Sequence, residues 1–214
     1  MKNKSNKIYS LLENRFGQAS CELNFKNNFE LIVAVVLSAR CTDKRVNIVT
    51  KELFKKFPTP NALASADIKE VEKIIYPCGF YKNKSLAITS LAKDIVEKFN
   101  GVVPDTFEGL VSLSGVGRKT ANVVLSVGFN KPAIAVDTHV FRLSNRLGLT
   151  QANNVLDCEK DLMKNVEKEK WSQFHHYLVL FGRYVCSSQS PKCNECELKE
   201  FCNYNKSSFK DKKY

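Results

Sequence analysis

The sequence predicts an all-α fold, and three features of its residue pattern lead to that class. Apolar residues recur at spacings of three and four along much of the chain, as they do on one face of a helix. No stretch alternates convincingly between apolar and polar residues, as a half-buried strand would. Turn-forming residues separate the helical patterns. We therefore expect about ten short helices, and the brief apolar run 133–136 is the one segment that could be extended.

The individual helices follow from apolar stripes and from residues that start or stop a helix. Three stripes stand out, at Val46, Val49, Leu53 and Phe57; at Ile88, Leu91, Ala92, Ile95, Val96 and Phe99; and at Trp171, Phe174, Leu178, Phe181 and Val185. Asp67, with Glu70 three residues on, predicts a capping box at the start of a further helix. Turns are expected near residues 58–60, 77–79, 101–104, 130–132 and 187–191.

Composition and charge limit the classes of function. The 214 residues are 43% hydrophobic and 26% charged, which is typical of a soluble globular protein with a real core. Lys and Arg number 33 against 22 Asp and Glu, and the net charge of +11 favours a polyanion as partner, although a solubilising surface is the alternative. The longest apolar run, 31–37, is far below the ~20 residues of a membrane span. We expect a cytoplasmic protein without a membrane partner, whose eight cysteines are reduced.

A glycine-rich segment, Leu113 to Ala121, lies between two helical patterns. Gly115 and Gly117 permit positive φ angles and close approach of a ligand to the backbone. The amides that follow Gly117 begin a helix, so their N–H groups and the positive end of the dipole suit a phosphate. Such a contact would hold DNA regardless of its sequence. The alternative is a tight turn between helices with solvated Arg118 and Lys119.

Lys119 and Asp137 are the candidate catalytic residues. Lys119 falls on the first turn of a helix, where the dipole and neighbouring Arg118 disfavour the ammonium form; partial burial would add to this effect. The neutral amine is a nucleophile, whereas an ordinary solvated lysine is the alternative. Asp137 is a predicted N-cap. An ionised carboxylate there can also stabilise an oxocarbenium-like sugar or take a proton from an amine, and the two roles are compatible.

Four cysteines close to the C-terminus follow the pattern C-x₆-C-x₂-C-x₅-C: Cys186, Cys193, Cys196 and Cys202. Four thiolates this close together in a reducing compartment indicate a metal site with a structural role. Ligand type alone leaves both zinc and an iron–sulfur cluster open.

Taken together, these segments resemble the endonuclease III family of DNA glycosylases that also act as apurinic/apyrimidinic (AP) lyases. The resemblance rests on residues 37–43, 79–84, 115–124 and 136–142, in the family's order and across most of the chain. The hairpin resembles a helix-hairpin-helix motif, with Ser114 in place of the usual proline. The resemblance implies that Lys119 is the Schiff-base nucleophile and Asp137 the catalytic carboxylate.

The resemblance also assigns the cofactor and the DNA contacts. It favours one 4Fe–4S cluster over zinc at the four cysteines. In the family, a glutamine and a leucine enter the gap left by a flipped base; Arg40 and Phe80 occupy those positions here. Alternatives for these two are a cation at a helix end near a phosphate and a core aromatic residue. Further DNA contacts are expected at Gly115, Val116, Gly117, Arg118 and Lys192.

The fold implied by the resemblance has two helical lobes with a cleft between them. One lobe is a six-helix domain, 22–131, with the helix-hairpin-helix motif at about 106–126. The other is an iron–sulfur domain formed by 1–21 and 132–214. Lys119 and Asp137 would face each other across the cleft.

The function implied is base excision repair by a monomer that acts on duplex DNA with damaged bases or AP sites. The enzyme would remove oxidised pyrimidines and nick the strand 3′ to the AP site by β-elimination, in the cytoplasm and at the nucleoid of a prokaryote. Two alternatives are a monofunctional adenine glycosylase, which lacks this lysine and carries an extra domain, and a non-catalytic DNA-binding module.

Overall fold

The computed structural model describes residues 1–204, and this part of the chain contains eleven α-helices, four 3₁₀ turns and no strand. The predicted all-α class is confirmed. Residues 205–214 of the predicted iron–sulfur domain lie outside the described residues. The helices are α1 (Lys2–Phe16), α2 (Asn28–Leu37), α3 (Asp43–Lys56), α4 (Pro60–Ala64), α5 (Ile68–Ile75), α6 (Tyr81–Phe99), α7 (Phe107–Val111), α8 (Arg118–Phe129), α9 (Thr138–Arg146), α10 (Val155–Asn165) and α11 (Trp171–Tyr184). The 3₁₀ turns span Tyr76–Cys78, Lys168–Lys170, Cys193–Glu195 and Lys199–Phe201.

The chain divides into two compact units. The continuous unit is Cys21–Lys131, and the discontinuous unit combines Met1–Ser20 with the chain from Pro132 onward. Every residue of the continuous unit is described, and it contains seven α-helices where six were expected. The difference arises because α4 and α7 are helices of only five residues each.

The core of the continuous unit is built around α2. All residues from Phe29 to Leu37 are buried, as expected for a helix that is apolar on every side. Helices α3, α6 and α8 pack against it. The predicted stripe of α3 is buried from Val46 to Phe57. The stripe of α6 is buried as far as Ile95, while Val96 and Phe99 at the helix end are half-buried.

The predicted capping box of α5 is only half right. Asp67 is the N-cap, and its carboxylate accepts a hydrogen bond from the Lys69 N–H at 3.0 Å. Glu70 forms an ion pair with Lys56 of α3. The Glu70 side chain therefore points to the Lys56 ammonium, whereas in a capping box it would accept a hydrogen bond from the Asp67 backbone N–H.

The discontinuous unit joins both ends of the chain in one core. Ile8 and Leu12 of α1 belong to the same buried cluster as Phe174 and Leu178 of α11. The Tyr177 hydroxyl donates a hydrogen bond to the carbonyl of Gly17 at 2.7 Å. Residues 133–136 are buried without regular secondary structure and lead into α9. Among the described helices, none is both long and apolar enough to pass through a membrane.

Candidate functional site

The hairpin between α7 and α8 presents an open helix N-terminus. Gly115 adopts a φ of +75°, and a Cβ there would lie 3.1 Å from the Cβ of Ala87. Gly117 is the N-cap of α8 in extended backbone that any residue can adopt, and no atom lies within 4 Å of the place where its Cβ would be. Gly115 is therefore required by the fold, whereas Gly117 leaves space over the first amides of α8 for a ligand.

Ser114, which stands where the motif usually has proline, anchors the hairpin to α6. Its backbone N–H donates to Asp94 Oδ2 at 2.7 Å, and its hydroxyl also bonds the Asp94 carboxylate. Lys98 forms an ion pair with the same carboxylate at 2.7 Å. Burial opposes ionisation of Asp94, but the hydrogen bonds from Lys98 and Ser114 outweigh it and lower the pKa of that carboxyl. The serine thus holds the hairpin through two donors.

Lys119 is the second residue of α8 and is exposed. The first turn of α8 contains no acidic residue, so Arg118 and Lys119 add their charges to the positive end of the helix dipole. Arg118 lies over the Phe107 ring, with its Cζ 4.8 Å from the ring centroid. The helix-terminal position of Lys119 is as predicted, but the partial burial that we invoked is wrong because the hairpin is short and open.

Asp137 is the N-cap of α9, as predicted. Its Oδ1 accepts hydrogen bonds from the backbone N–H groups of His139 at 2.9 Å and Val140 at 2.8 Å. The residue is half-buried and follows the buried run 133–136. A packed segment on one side and two backbone donors on the other therefore fix the direction of the carboxylate.

Arg40 and Phe80 come from different loops of the continuous unit and lie together. The Arg40 Cζ is 5.7 Å from the centroid of the Phe80 ring. Both residues have left-handed backbone, with φ of 53° and 49°, which costs a side chain other than glycine about 1–2 kcal/mol. Phe80 is 62% exposed, so the alternative of an ordinary core aromatic residue is wrong. Strain of this kind persists only where the surrounding structure imposes it, and it is concentrated at functional sites.

The four clustered cysteines line one cavity. None of the four forms a disulfide, and the exposed Lys192 also lines the cavity. Burial, with smaller contributions from Glu197, Cys186 and Cys202, raises the pKa of the Cys196 thiol to about 11, against the lowering effect of a backbone hydrogen bond from Leu198. Four cysteine side chains that converge on one cavity could together bind a metal ion or an iron–sulfur cluster.

Two arginines of α9 hold the loop that begins at Cys186, and our sequence reasoning missed both. Arg142 donates to the carbonyls of Gly182 at 2.9 Å and Cys186 at 2.8 Å. Arg146 donates to Cys186 Sγ at 3.2 Å and to the carbonyls of Ser187 and Ser188 at 2.8 and 3.0 Å. Their spacing of four residues on the helix that starts at Asp137 was the available signal. This spacing indicates that the two arginines lie on one face of α9, but it does not indicate which loop that face contacts.

Comparisons with known proteins identify relatives along nearly the whole chain. Residues 33–168 match the model of the HhH-GPD superfamily of base excision DNA repair proteins. The chain is 52% identical to endonuclease III of Bacillus subtilis over 188 residues, which are 87% of this chain and 86% of the relative. It is 44% identical to endonuclease III of Synechocystis sp. over 202 residues, 94% of this chain and 92% of the relative.

Solved structures agree with these relatives. A trapped covalent intermediate of endonuclease III with DNA matches with a TM-score of 0.93 at 47% identity, covering 98% of this chain and 99% of that one. A non-covalent endonuclease III–DNA complex matches equally, at 46% identity and the same coverage. A thermostable thymine-DNA glycosylase shares the fold with a TM-score of 0.83 at 21% identity, over 96% of this chain and 98% of that one.

Proposed function

Since the chain belongs to the endonuclease III family of base excision DNA repair enzymes, we propose that Lys119 is the nucleophile and Asp137 the acidic partner of its reactions. The protein is a DNA glycosylase and AP lyase. The observation that carries the assignment is the exposed amine of Lys119 on the first turn of α8, directly after the open hairpin. A relative of similar sequence forms a covalent intermediate with DNA, which agrees with an amine nucleophile.

In the proposed reaction, Lys119 attacks the anomeric carbon of the damaged nucleotide and the glycosidic bond to the base breaks. Asp137 stabilises the positive charge that develops on the sugar and takes a proton from the attacking amine. The resulting iminium acidifies the proton on the neighbouring sugar carbon. Loss of that proton breaks the bond to the 3′ phosphate by β-elimination and nicks the strand.

Borohydride trapping on a duplex with one AP site tests the nucleophile. We expect wild-type protein to form a covalent adduct and Lys119→Ala to form none. Lys93→Ala, which removes another exposed lysine of the continuous unit, is the matched control and keeps the adduct. An adduct in folded Lys119→Ala would assign the nucleophile to another amine. A wild-type protein that releases bases without trapping would favour a monofunctional glycosylase.

Asp137→Asn tests the carboxylate separately from the cap. Asparagine is as good an N-cap as aspartate, so α9 remains capped while the negative charge is lost. We expect a normal melting temperature with a loss in base release of about 10²–10⁴-fold, the usual contribution of an acid or base. Asp67→Asn makes the same change at the N-cap of α5 and leaves activity intact. Equal activities of the two variants would remove Asp137 from the mechanism.

We propose that Arg40 and Phe80 fill the gap left by the extruded base, because a base inside a duplex is out of reach of the enzyme. Phe80 is exposed and can stack, which contributes about 1–3 kcal/mol per base. Arg40 can donate hydrogen bonds to the orphaned partner base. A panel of oxidised pyrimidines opposite each of the four bases tests this assignment. Phe80→Ala slows base release, whereas Ile48→Ala, at another exposed apolar residue, does not.

We propose that Cys186, Cys193, Cys196 and Cys202 hold one 4Fe–4S cluster. Among residues 1–204, no three His, Cys, Asp or Glu side chains are placed to hold a single metal ion. The four thiols share one cavity and can bind one group together; a set of four cysteines suits zinc and iron–sulfur alike, and the resemblance to the endonuclease III family favours the cluster. With all four positions used, the cluster would cross-link the loop rather than bind substrate. Brown colour and bound iron in the purified protein support the cluster, whereas a colourless protein with stoichiometric zinc contradicts it.

Duplex DNA is the proposed partner, and phosphate is the group that the hairpin would bind. The backbone N–H groups of Gly115, Gly117 and the first turn of α8, with Arg118, form the proposed contact, and Lys192 contributes a further charge. Val116 lies between the two glycines, and its N–H donates to the Leu113 carbonyl at 3.1 Å. The net charge of +11 supports this assignment. We expect affinity for undamaged duplex to fall steeply with salt, and a flat dependence would contradict the phosphate contacts. A monomeric state and a location in the cytoplasm at the nucleoid stay predictions.

A further inference from the structure

The two loops that carry Arg40 and Phe80 also bring two cysteines together. Cys41 directly follows Arg40, and Cys78 stands two residues before Phe80. The 3₁₀ turn Tyr76–Cys78 packs against α3, which begins two residues after Cys41, and the Cys41 side chain contributes to the raised pKa of the Cys78 thiol. The contact between Arg40 and Phe80 at 5.7 Å places the same two loops side by side independently. The reaction proposed above uses neither thiol, and neither cysteine belongs to the C-terminal group of four.

Backbone contacts hold both cysteines in place, and the two differ in access to solvent. The Cys41 N–H donates to the Ser38 carbonyl at 3.0 Å, and Cys41 is half-buried. Cys78 is 1% exposed, and its carbonyl accepts from the buried Lys84 ammonium at 2.8 Å. Burial, and then the neighbouring Cys41, raise the pKa of Cys78 to about 12. Cys41 is therefore the thiol that a small oxidant reaches first, and Cys78 is the resolving thiol beside it.

We propose that Cys41 and Cys78 form a reversible dithiol–disulfide pair that hydrogen peroxide oxidises, joining the two loops that carry the residues filling the gap in DNA. The Cys41 thiol loses its proton and its sulfur attacks one peroxide oxygen; the O–O bond breaks, the departing hydroxide takes up that proton and leaves as water, and a sulfenic acid remains. The Cys78 sulfur then attacks Cys41 Sγ, the S–O bond breaks and a second water leaves. The net reaction converts two thiols and one peroxide into one disulfide and two waters. A small dithiol reverses it by exchange.

The disulfide would limit the movement that the proposed gap-filling step requires, and this part of the inference rests on the proposed function. A disulfide fixes the separation of its two Cα atoms within narrow limits. It would therefore hold Arg40 and Phe80 in one relative position while a base leaves the stack. An AP site has no base to displace, so oxidation slows release of a damaged base more than it slows cleavage at an AP site.

The experiment treats the purified protein with hydrogen peroxide at doses that leave its content of bound metal unchanged. Remaining thiols are then alkylated and the peptides mapped by mass spectrometry. We expect a linked Cys41–Cys78 peptide with two hydrogens lost, which a small dithiol returns to two thiols. In Cys78→Ser, the Cys41 sulfenic acid persists and reacts with dimedone. Cys41→Ser, at the half-buried position, forms no link, whereas Cys21→Ser keeps it.

Each result decides a different part of the inference. If wild-type Cys41 and Cys78 are both alkylated after treatment, or if other cysteines link as readily, the dithiol pair is wrong. If the link forms but base release and AP-site cleavage slow equally, its connection to base extrusion is wrong. If Phe80→Ala leaves base release unchanged in untreated protein, the proposed gap-filling role fails, whatever the state of the thiols.

Discussion

Ser114→Pro restores the residue that helix-hairpin-helix motifs usually carry, yet we expect it to destabilise this protein. Ser114 donates its N–H to Asp94 Oδ2 at 2.7 Å, and the Asp94 side chain is only 14% exposed. A hydrogen bond to a charged group contributes about 1.5–3 kcal/mol. Proline at a compatible position stabilises by about 0.4–1 kcal/mol through the unfolded chain, but it has no N–H to donate. The lost N–H bond alone outweighs the gain and leaves a net loss of roughly 0.5–2.6 kcal/mol, to which the lost hydroxyl bond adds.

Thermal unfolding and urea titration measure this loss, which corresponds to a fall in melting temperature of roughly 1–10 °C for a chain of this size. Ser114→Ala keeps the N–H and loses only the hydroxyl donor, so its loss is smaller. In an Asp94→Ala background the acceptor is absent, and the additional cost of Ser114→Pro falls. A Ser114→Pro protein that melts above wild type, or that loses the same free energy in both backgrounds, would refute the assigned hydrogen bond.

Three further predictions concern the hairpin, Asp94 and the cysteine loop. Gly115→Ala costs about 1–2 kcal/mol because of its φ of +75° and the nearby Ala87, whereas Gly117→Ala unfolds nearly as wild type but binds duplex DNA less tightly in a filter assay. The pKa of Asp94 is lowered on folding, so the ionised carboxylate contributes to the free energy of unfolding above its ordinary pKa of 3.8, and this contribution is lost as the pH falls through the pKa of the folded protein. Urea titrations should therefore show the free energies of unfolding of wild type and Asp94→Asn converging in acid. A difference between the two proteins that stays constant with pH would contradict this. Arg146→Gln loses hydrogen bonds to Cys186 Sγ and to two loop carbonyls. We therefore expect the iron bound per protein molecule to fall during storage in air, and to fall further in Arg146→Gln than in Arg146→Lys, which keeps a positive charge.

Features that depend on short stretches of chain could be predicted from the sequence. The stripe that begins at Ile88 specifies α6 because its spacing puts the apolar residues on one face. The Asp137 N-cap follows from an acidic residue between an apolar run and a helical pattern. The all-α class and the spacing of the four cysteines are local in the same sense.

Features that depend on contacts between distant residues could not be predicted. Asp94 lies 20 residues before Ser114, and nothing in either segment specifies that carboxylate as the acceptor. Arg146 meets the loop at Ser187, 41 residues later. The exposure of Lys119 likewise depends on how the short hairpin between α7 and α8 packs on the rest of the unit rather than on its sequence. Helical periodicity fixes which residues share a face, but tertiary packing decides what that face meets.

The three positions that depart from the family's usual residues each have a partner in the continuous unit. Ser114 replaces the rigidity of proline with two donors to Asp94. Arg40 and Phe80 replace a glutamine and a leucine, and they contact each other as cation and ring. Arg40 and Phe80 therefore form one contact pair, and restoring the usual residue at one of them leaves the other without the contact. It follows that Arg40→Gln and Phe80→Leu should each impair base release more than the two changes combined, because the double variant restores a matched pair.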